Sequence, residues 1–75
     1  MARHACFAVV EIDRYLGTMA YLVRNLNGYD LSEKNPFAAF LTDAETADEL
    51  VKKYSDCNDT PELKERYCVS KLKLI

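Results

Sequence analysis

The chain of 75 residues has few of the residues from which catalytic, metal and phosphate sites are usually built. It contains one histidine, two glycines and no tryptophan. Two glycines are too few for a glycine-rich phosphate loop, and neither the GxGxxG nor the Walker pattern occurs. His4 and Cys6 have no further ligand at a spacing typical of zinc sites, and no serine or cysteine has an identifiable base beside it. We therefore expect no enzymatic activity, no catalytic residues, and no metal or other cofactor.

Long hydrophobic runs and an even set of cysteines are also missing. No apolar run approaches the ~20 residues that cross a bilayer, and the N-terminal sequence MARHACFAVVEID lacks the features of a secretory signal. The chain has three cysteines, and an odd number argues against a disulfide framework. Cys6 and Cys68 fall in apolar, strand-like segments, whereas Cys57 lies in the polar segment SDCND. We expect a cytoplasmic protein that does not contact a membrane.

The composition is typical of a small globular protein, with 49% hydrophobic and 29% charged residues. The length predicts a single domain over residues 1–75. The net charge of −2 and the isoelectric point near 5.3 argue against direct binding of nucleic acid. A chain this short buries only about 60% of its unfolded surface, so a homodimer would be one way to bury more.

The first half of the chain predicts two antiparallel strands. The segment HACFAVVEI (4–12) is apolar at successive positions, which indicates an inner strand covered on both sides at its start. The segment TMAYLVRNL (18–26) is rich in residues that favour strands. Between them, residues 13–17 form the expected connection, with Gly17 supplying backbone freedom.

A hairpin is predicted next. Asn27-Gly28 suits the two central positions of a tight turn, and YDLS (29–32) would be the short return strand. Residues 33–36 read as a loop because Pro36 favours extended backbone before it. FAAFL (37–41) is either a short strand or an apolar lead into the helix that follows.

An amphipathic helix is predicted over residues 43–55. Thr42 and Glu45 fit a capping box, in which each side chain bonds the other residue's amide. The apolar positions recur at intervals of three and four, as one face of a helix requires. They are Ala44, Ala47, Leu50, Val51 and Tyr54.

The last part of the chain predicts one or two turns of helix beginning at Thr60-Pro61 and a closing strand, RYCVSKLKLI (66–75). Alternation places Cys68, Leu72 and Leu74 on one face of that strand and Lys71 and Lys73 on the other. The predicted fold class is therefore α+β. We expect an antiparallel three- to four-stranded sheet with one main amphipathic helix on one face, in the order β-β-(β)-α-β.

Negative charge is concentrated in the middle of the sequence. Residues 30–62 carry nine acidic and three basic residues. The helix accounts for some of them, because Asp43 and Glu45 lie in its first turn. Asp48 and Glu49 precede Lys52 and Lys53 by four residues, an arrangement that favours ion pairs.

The remaining acids are either a solvated surface or a contact for a protein with a basic surface. Tyrosine is enriched at interfaces, and Tyr15 and Tyr29 lie in or beside predicted turns. The candidate partner-binding residues are Asp30, Glu33, Asp43, Glu45, Asp56, Asp59, Tyr15 and Tyr29.

The runs YLVRNLNGYDL, FAAFLTDAETADELVKKY and RYCVSKLKLI resemble small bacteriophage and prophage accessory proteins over about residues 18–75. Phe40, Thr42, Glu45 and Ala47 match the F-x-T-x-x-E-x-A lead into the helix of such proteins. Some of them inhibit host defence, including anti-CRISPR proteins that present an acidic surface to a basic nucleic-acid groove. The group has no catalytic residues in common. The net charge here is modest beside that of strongly acidic mimics, so the resemblance implies a local acidic contact.

We therefore expect a non-enzymatic, phage-type binding protein that inhibits a host protein in the bacterial cytoplasm, with a CRISPR-type defence complex as a candidate target. The alternative is a self-associating structural or regulatory module that uses a sheet face or an edge strand. In that reading, the Tyr67 and Val69 side of the closing strand is buried between subunits.

Overall fold

The computed structural model describes residues 6–26, 28–32 and 39–74 and has the predicted α+β fold. Four strands form an antiparallel sheet in the spatial order β3-β2-β1-β4, and α1 packs on one face of it. The elements are β1 (Phe7–Asp13), β2 (Thr18–Asn25), β3 (Gly28–Ser32), α1 (Ala44–Cys57), α2 (Pro61–Arg66) and β4 (Tyr67–Lys73).

The strand β1 lies inside the sheet, as its continuous apolar sequence predicts. It is hydrogen-bonded to β2 on one side and to β4 on the other, with Val10 opposite Tyr21 and Ser70. Ala8 and Val10, on the side away from α1, are both buried. Among the described elements, however, helix packing covers only the other side, where Val9 contacts α1.

The connection between β1 and β2 is shorter than predicted, because β1 continues to Asp13. The amide of Gly17 donates a hydrogen bond of 2.8 Å to the carbonyl of Asp13. Gly17 has a φ of 68°, in the left-handed region that favours glycine. The predicted role of Gly17 is confirmed, whereas the assignment of residue 13 to the connection is wrong.

The second hairpin turns one residue earlier than predicted. Asn25 is paired with Gly28, so Gly28 belongs to the strand pair and not to the centre of the turn. Gly28 is already the first residue of β3, where it has a φ of 126°. Asn27 lies outside the described residues.

Residues 39–42 bond to both β1 and β2. The amide of Phe40 donates to the carbonyl of Leu22 at 2.8 Å, and Thr42 exchanges two hydrogen bonds with Phe7, of 2.9 and 3.0 Å. These are isolated bridges, so the segment is neither a full strand nor a free lead-in. Residues 37–38 of the predicted segment lie outside the described part of the chain.

The helix α1 begins one residue later than the predicted capping box requires. Its N-cap is Asp43, whose carboxylate accepts a hydrogen bond from the amide of Thr46 at 3.0 Å. Thr42 cannot complete the predicted box with Glu45, because its amide is already donated to Phe7. The helix ends at Cys57, two residues beyond the prediction.

The hydrophobic core lies between α1 and the sheet. Its buried residues are Val9, Leu22, Ala47 and Leu50, which come from β1, β2 and α1. The partly buried residues packed around them are Phe7, Tyr29, Phe40, Val51, Tyr54 and Val69. The predicted start of α2 is confirmed, since the Thr60 hydroxyl caps it and Pro61 occupies its first turn.

Candidate functional site

The predicted acidic residues are not brought together on one surface. Asp43 and Glu45 lie at the N-terminal end of α1, whereas Asp56 and Asp59 lie in and beyond its last turn. A helix of 14 residues separates its ends by about 20 Å. Asp30 lies on the edge strand β3, and Glu33 lies outside the described residues.

Two acids of the N-terminal half of α1 are engaged within the chain. Hydrogen bonds from the side chain and the amide of Thr46 lower the pKa of Asp43, as expected of an N-cap carboxylate. Asp48 forms an ion pair of 2.7 Å with Lys71 of β4. The predicted pairing of Asp48 with Lys52 is therefore wrong, because β4 brings a lysine closer from across the helix–sheet boundary.

Three exposed acids follow one another in the chain between the last turn of α1 and the first turn of α2, and we call them the acidic end: Asp56, Asp59 and Glu62. The last turn of α1 has no basic residue, and the carbonyl groups there carry partial negative charge, which disfavours Asp56 at that position. The ion pairs among the described residues do not include any member of the acidic end. The dipole of α2 favours Glu62, which lies in the first turn of that helix, but helix chemistry does not explain Asp56.

A groove of about 350 Å³ opens beside the acidic end. Asp56 lines it together with Arg14 and Lys64, so the groove itself is mixed in charge. Asn58, the C-cap of α1, also lines it and donates its amide to the carbonyl of Ser55 at 3.1 Å. The groove places the loop after β1 next to the end of α1.

Asp13 and Arg66 form an ion pair at the end of β1, which we call the ionic corner and which the sequence analysis did not predict. Arg66 donates from Nη2 to Asp13 Oδ2 at 2.9 Å and from Nε to Oδ1 at 3.1 Å. Asp13 is only 7% exposed, and its Oδ1 also accepts the amides of Tyr15 and Leu16 at 3.0 and 3.2 Å. The hydrogen bond from Arg66 is the main cause that lowers the pKa of Asp13. Because 53 positions separate the two residues, no local pattern could have paired them.

The two tyrosines predicted at an interface have different surroundings. Tyr15 is 64% exposed, and the Arg66 guanidinium lies 5.4 Å from its ring centre. Tyr29 belongs to β3, is half-buried, and meets the ring of Phe40 edge-on at 5.2 Å. Tyr29 is therefore a packing residue, and Tyr15 is the accessible aromatic of the pair.

The closing strand β4 has the two alternating faces that its sequence predicts. The face that carries Val69 and Lys71 lies against α1. Val69 packs against the core beneath α1, and Lys71 reaches Asp48 on α1. Tyr67 lies on the same side and contacts the Arg66 guanidinium at 5.2 Å. This side of β4 faces α1, so the hypothesis that it is buried between subunits is wrong.

The described residues include no group of three or more histidine, cysteine, aspartate or glutamate side chains arranged to hold a metal ion. Within the same residues, no helix has both the length and the apolar character needed to cross a membrane. No protein-family model, curated protein or solved structure matches the chain.

Proposed function

We propose that this chain is a non-enzymatic, phage-type binding protein that inhibits a host protein, with a CRISPR-type defence complex as the first target class to test. The observation that supports this function best is the acidic end. Its three carboxylates are exposed, and Asp56 lies in the last turn of α1, which disfavours negative charge and has no basic residue. None of the three is in an ion pair among the described residues, so lysines and arginines of a partner could pair with them.

Tyr15 lies at the same end of the molecule as these acids. Arg14, its neighbour in the chain, lines the groove that Asp56 also lines. The exposed ring of Tyr15 is held against Arg66, so binding a partner would cost it little conformational freedom. A rigid aromatic beside a group of charges is a common composition of interface hot spots.

The proposed contact is narrower than the set of residues predicted from the sequence. Asp43 and Glu45 lie at the far end of α1, and Asp30 lies on β3. The contact consists of the acidic end with Tyr15, and the basic groove of a nucleic-acid-binding protein is the surface it fits.

The test uses purified CRISPR effector complexes, with inhibition of DNA binding as the readout. The variant D56N/D59N/E62Q should weaken inhibition about tenfold or more, because several charge pairs at an interface are lost together. The matched control D30N/E45Q/E49Q removes the same charge from exposed positions elsewhere and should inhibit like the unmodified chain. Equal losses in the two triple variants would contradict the proposed contact, and no inhibition of any complex would contradict the target class.

Tyr15 is tested separately. Replacement by alanine should weaken inhibition, whereas Tyr15→Phe should preserve it, because the ring rather than the hydroxyl makes the proposed contact. If Tyr15→Ala inhibits as well as the unmodified chain, Tyr15 is not part of the contact.

A further inference from the structure

The groove beside the acidic end is lined by charges of both signs that do not pair with one another. Arg14, Lys64 and Asp56 line it, and all three are exposed. The two ion pairs found among the described residues involve other side chains. The guanidinium of Arg14 donates a hydrogen bond of 3.2 Å to the carbonyl of Glu65, a neutral acceptor that does not compensate its charge. Two cations and one anion therefore line the same open volume without neutralising each other.

The wall of the groove that belongs to β4 is apolar. Tyr67 and Val69 line it, and both are half-buried, so part of each side chain remains accessible. Val69 packs against the core, and the guanidinium of Arg66 lies 5.2 Å from the ring centre of Tyr67. These contacts hold the apolar wall in place before any ligand binds.

Ser55 and Asn58 add neutral polar groups at the end of α1. The amide of Asn58 donates to the carbonyl of Ser55 at 3.1 Å. That bond uses backbone atoms only, so both side chains can take another partner. An apolar wall with a few polar groups is the usual composition of a small-molecule site. The volume of about 350 Å³ lies at the lower end of the range of roughly 300–1,000 Å³ for such sites.

We propose that the groove binds a small zwitterion with an apolar body, of the amino-acid or dipeptide class. The ammonium group of the ligand bonds to the carboxylate of Asp56. Its carboxylate bonds to the guanidinium of Arg14, whose planar fork suits two parallel hydrogen bonds, and Lys64 adds a second positive charge. The apolar part of the ligand covers the accessible portions of Tyr67 and Val69.

Ligands with charge of one sign fit the groove less well. A simple anion leaves Asp56 without a counter-charge, and a simple cation does the same to Arg14 and Lys64. A polyanion such as a nucleic acid is also repelled by the acidic end beside the groove. A molecule that carries both charges compensates all three side chains.

Binding should be weak, because the charged groups of the groove are exposed. Exposed ion pairs contribute little free energy, so we expect a dissociation constant on the order of 1 mM. The groove and the proposed function are tested independently, since no partner protein takes part in binding the zwitterion. Failure of one therefore leaves the other standing.

The first experiment is a titration of the isotope-labelled full chain, followed by amide chemical shifts at an ionic strength of about 0.05 M, where exposed charges are weakly screened. The probes are phenylalanine, glycylphenylalanine, phenylpropionate and phenethylamine. All four carry the same ring; the first two are zwitterions, the third lacks the ammonium group and the fourth lacks the carboxylate. The tighter of the two zwitterions distinguishes an amino acid from a dipeptide as the ligand.

We expect the amides of Ser55, Asn58, Tyr67 and Val69 to shift, and the better zwitterion to bind at least about threefold more tightly than either singly charged probe. Three outcomes would overturn the proposal. They are the absence of shifts up to about 20 mM, twenty times the expected dissociation constant, shifts confined to other parts of the chain, and equal affinity for all four probes.

Asp56→Asn tests the contact with the ammonium group. In this variant the zwitterion should lose its advantage over phenylpropionate, while phenylpropionate should bind at least as well as before. Asp59→Asn is the matched control, because Asp59 is exposed in the same acidic end but is not among the residues that line the groove. If Asp56→Asn weakens both ligands equally, the ammonium group does not contact Asp56, and the proposed mode of binding is wrong.

The double variant R14Q/K64Q tests the contact with the carboxylate. Here the zwitterion should lose its advantage over phenethylamine. K52Q/K73Q is the matched control, because it removes two exposed lysines that do not line the groove. The amide spectrum shows whether each variant is folded. A folded R14Q/K64Q that keeps its full preference for the zwitterion would overturn the proposal.

Discussion

At the scale of single residues, the ionic corner links the end of β1, at Asp13, to the end of α2, at Arg66. Arg66 donates hydrogen bonds to both carboxylate oxygens of Asp13, and its guanidinium lies 5.4 Å from the ring centre of Tyr15 and 5.2 Å from that of Tyr67. A planar guanidinium can do both at once, which a lysine ammonium cannot. The carbonyl of Arg66 also accepts the amide of Arg14 at 2.8 Å, so backbone and side chain hold the same junction.

The corner should make stability sensitive to acid. Hydrogen bonding by Arg66 lowers the pKa of Asp13 below the ordinary value, which is about 3.9 for an unfolded aspartate. Between the folded and the unfolded pKa, the unfolded chain binds a proton that the folded chain does not. The stabilisation that Asp13 supplies is therefore complete above the unfolded pKa and is lost as the pH falls through the folded pKa. In Asp13→Asn, the free energy of unfolding should therefore fall less between about pH 5 and pH 2 than in the unmodified chain.

Urea denaturation at several pH values measures this difference. Glu49→Gln is the control for the removal of one carboxylate, since Glu49 is exposed and lies 17 positions or more from either residue of the corner. An unchanged pH dependence in Asp13→Asn would show that the corner does not supply acid-sensitive stability.

At the scale of elements, α1 and the sheet are held together by a small number of buried residues. Leu22 and Val9 are the largest fully buried side chains, and both meet α1 through Ala47 and Leu50. The bridges of residues 39–42 to β1 and β2 fix the backbone just before α1 begins. The position of the helix therefore depends on the two central strands.

Leu22→Ala should lower the free energy of unfolding by roughly 2–5 kcal/mol, because it leaves a cavity where α1 meets β2. A chain of this length has a total stability of only about 4–11 kcal/mol, so this loss approaches unfolding. Leu41→Ala is the matched control and should change stability by no more than about 0.5 kcal/mol, because Leu41 is exposed. Equal losses in chemical denaturation would contradict this account of the core.

At the scale of the whole molecule, the acidic residues are divided between the two ends of α1. Asp43 and Glu45 lie at its start, whereas the acidic end begins in its last turn, about 20 Å away. A basic partner attracted through long-range forces would therefore meet one of these ends at a time.

Salt should weaken the proposed contact at the acidic end. Raising sodium chloride from about 0.05 to 0.5 M should weaken inhibition of a target, because exposed charge pairs are screened over a Debye length of about 10 Å at 0.1 M. Inhibition assays over a series of salt concentrations measure this effect, and inhibition that does not change with salt would contradict an electrostatic contact.

Local patterns determined the secondary structure and its order. The apolar run at the start of the chain predicted an inner strand, the spacing of apolar residues predicted α1, and Thr60-Pro61 predicted α2. The predicted start of α1 was wrong because a backbone amide of the predicted capping box bonds to β1 instead. The predicted capping box does not form because the amide of Thr42, which Glu45 would have accepted, bonds to Phe7, a residue 35 positions earlier in the sequence; the N-cap is Asp43.

Tertiary structure alone decided how the candidate surfaces are arranged. The sequence specifies that the acids are close together along the chain, but α1 separates them into two ends, and β4 pairs Asp48 with Lys71. The packing of α1 decides which side of β4 meets the helix and which side points away from it. These properties depend on contacts between residues far apart in the sequence, whereas helix periodicity and strand alternation depend only on near neighbours.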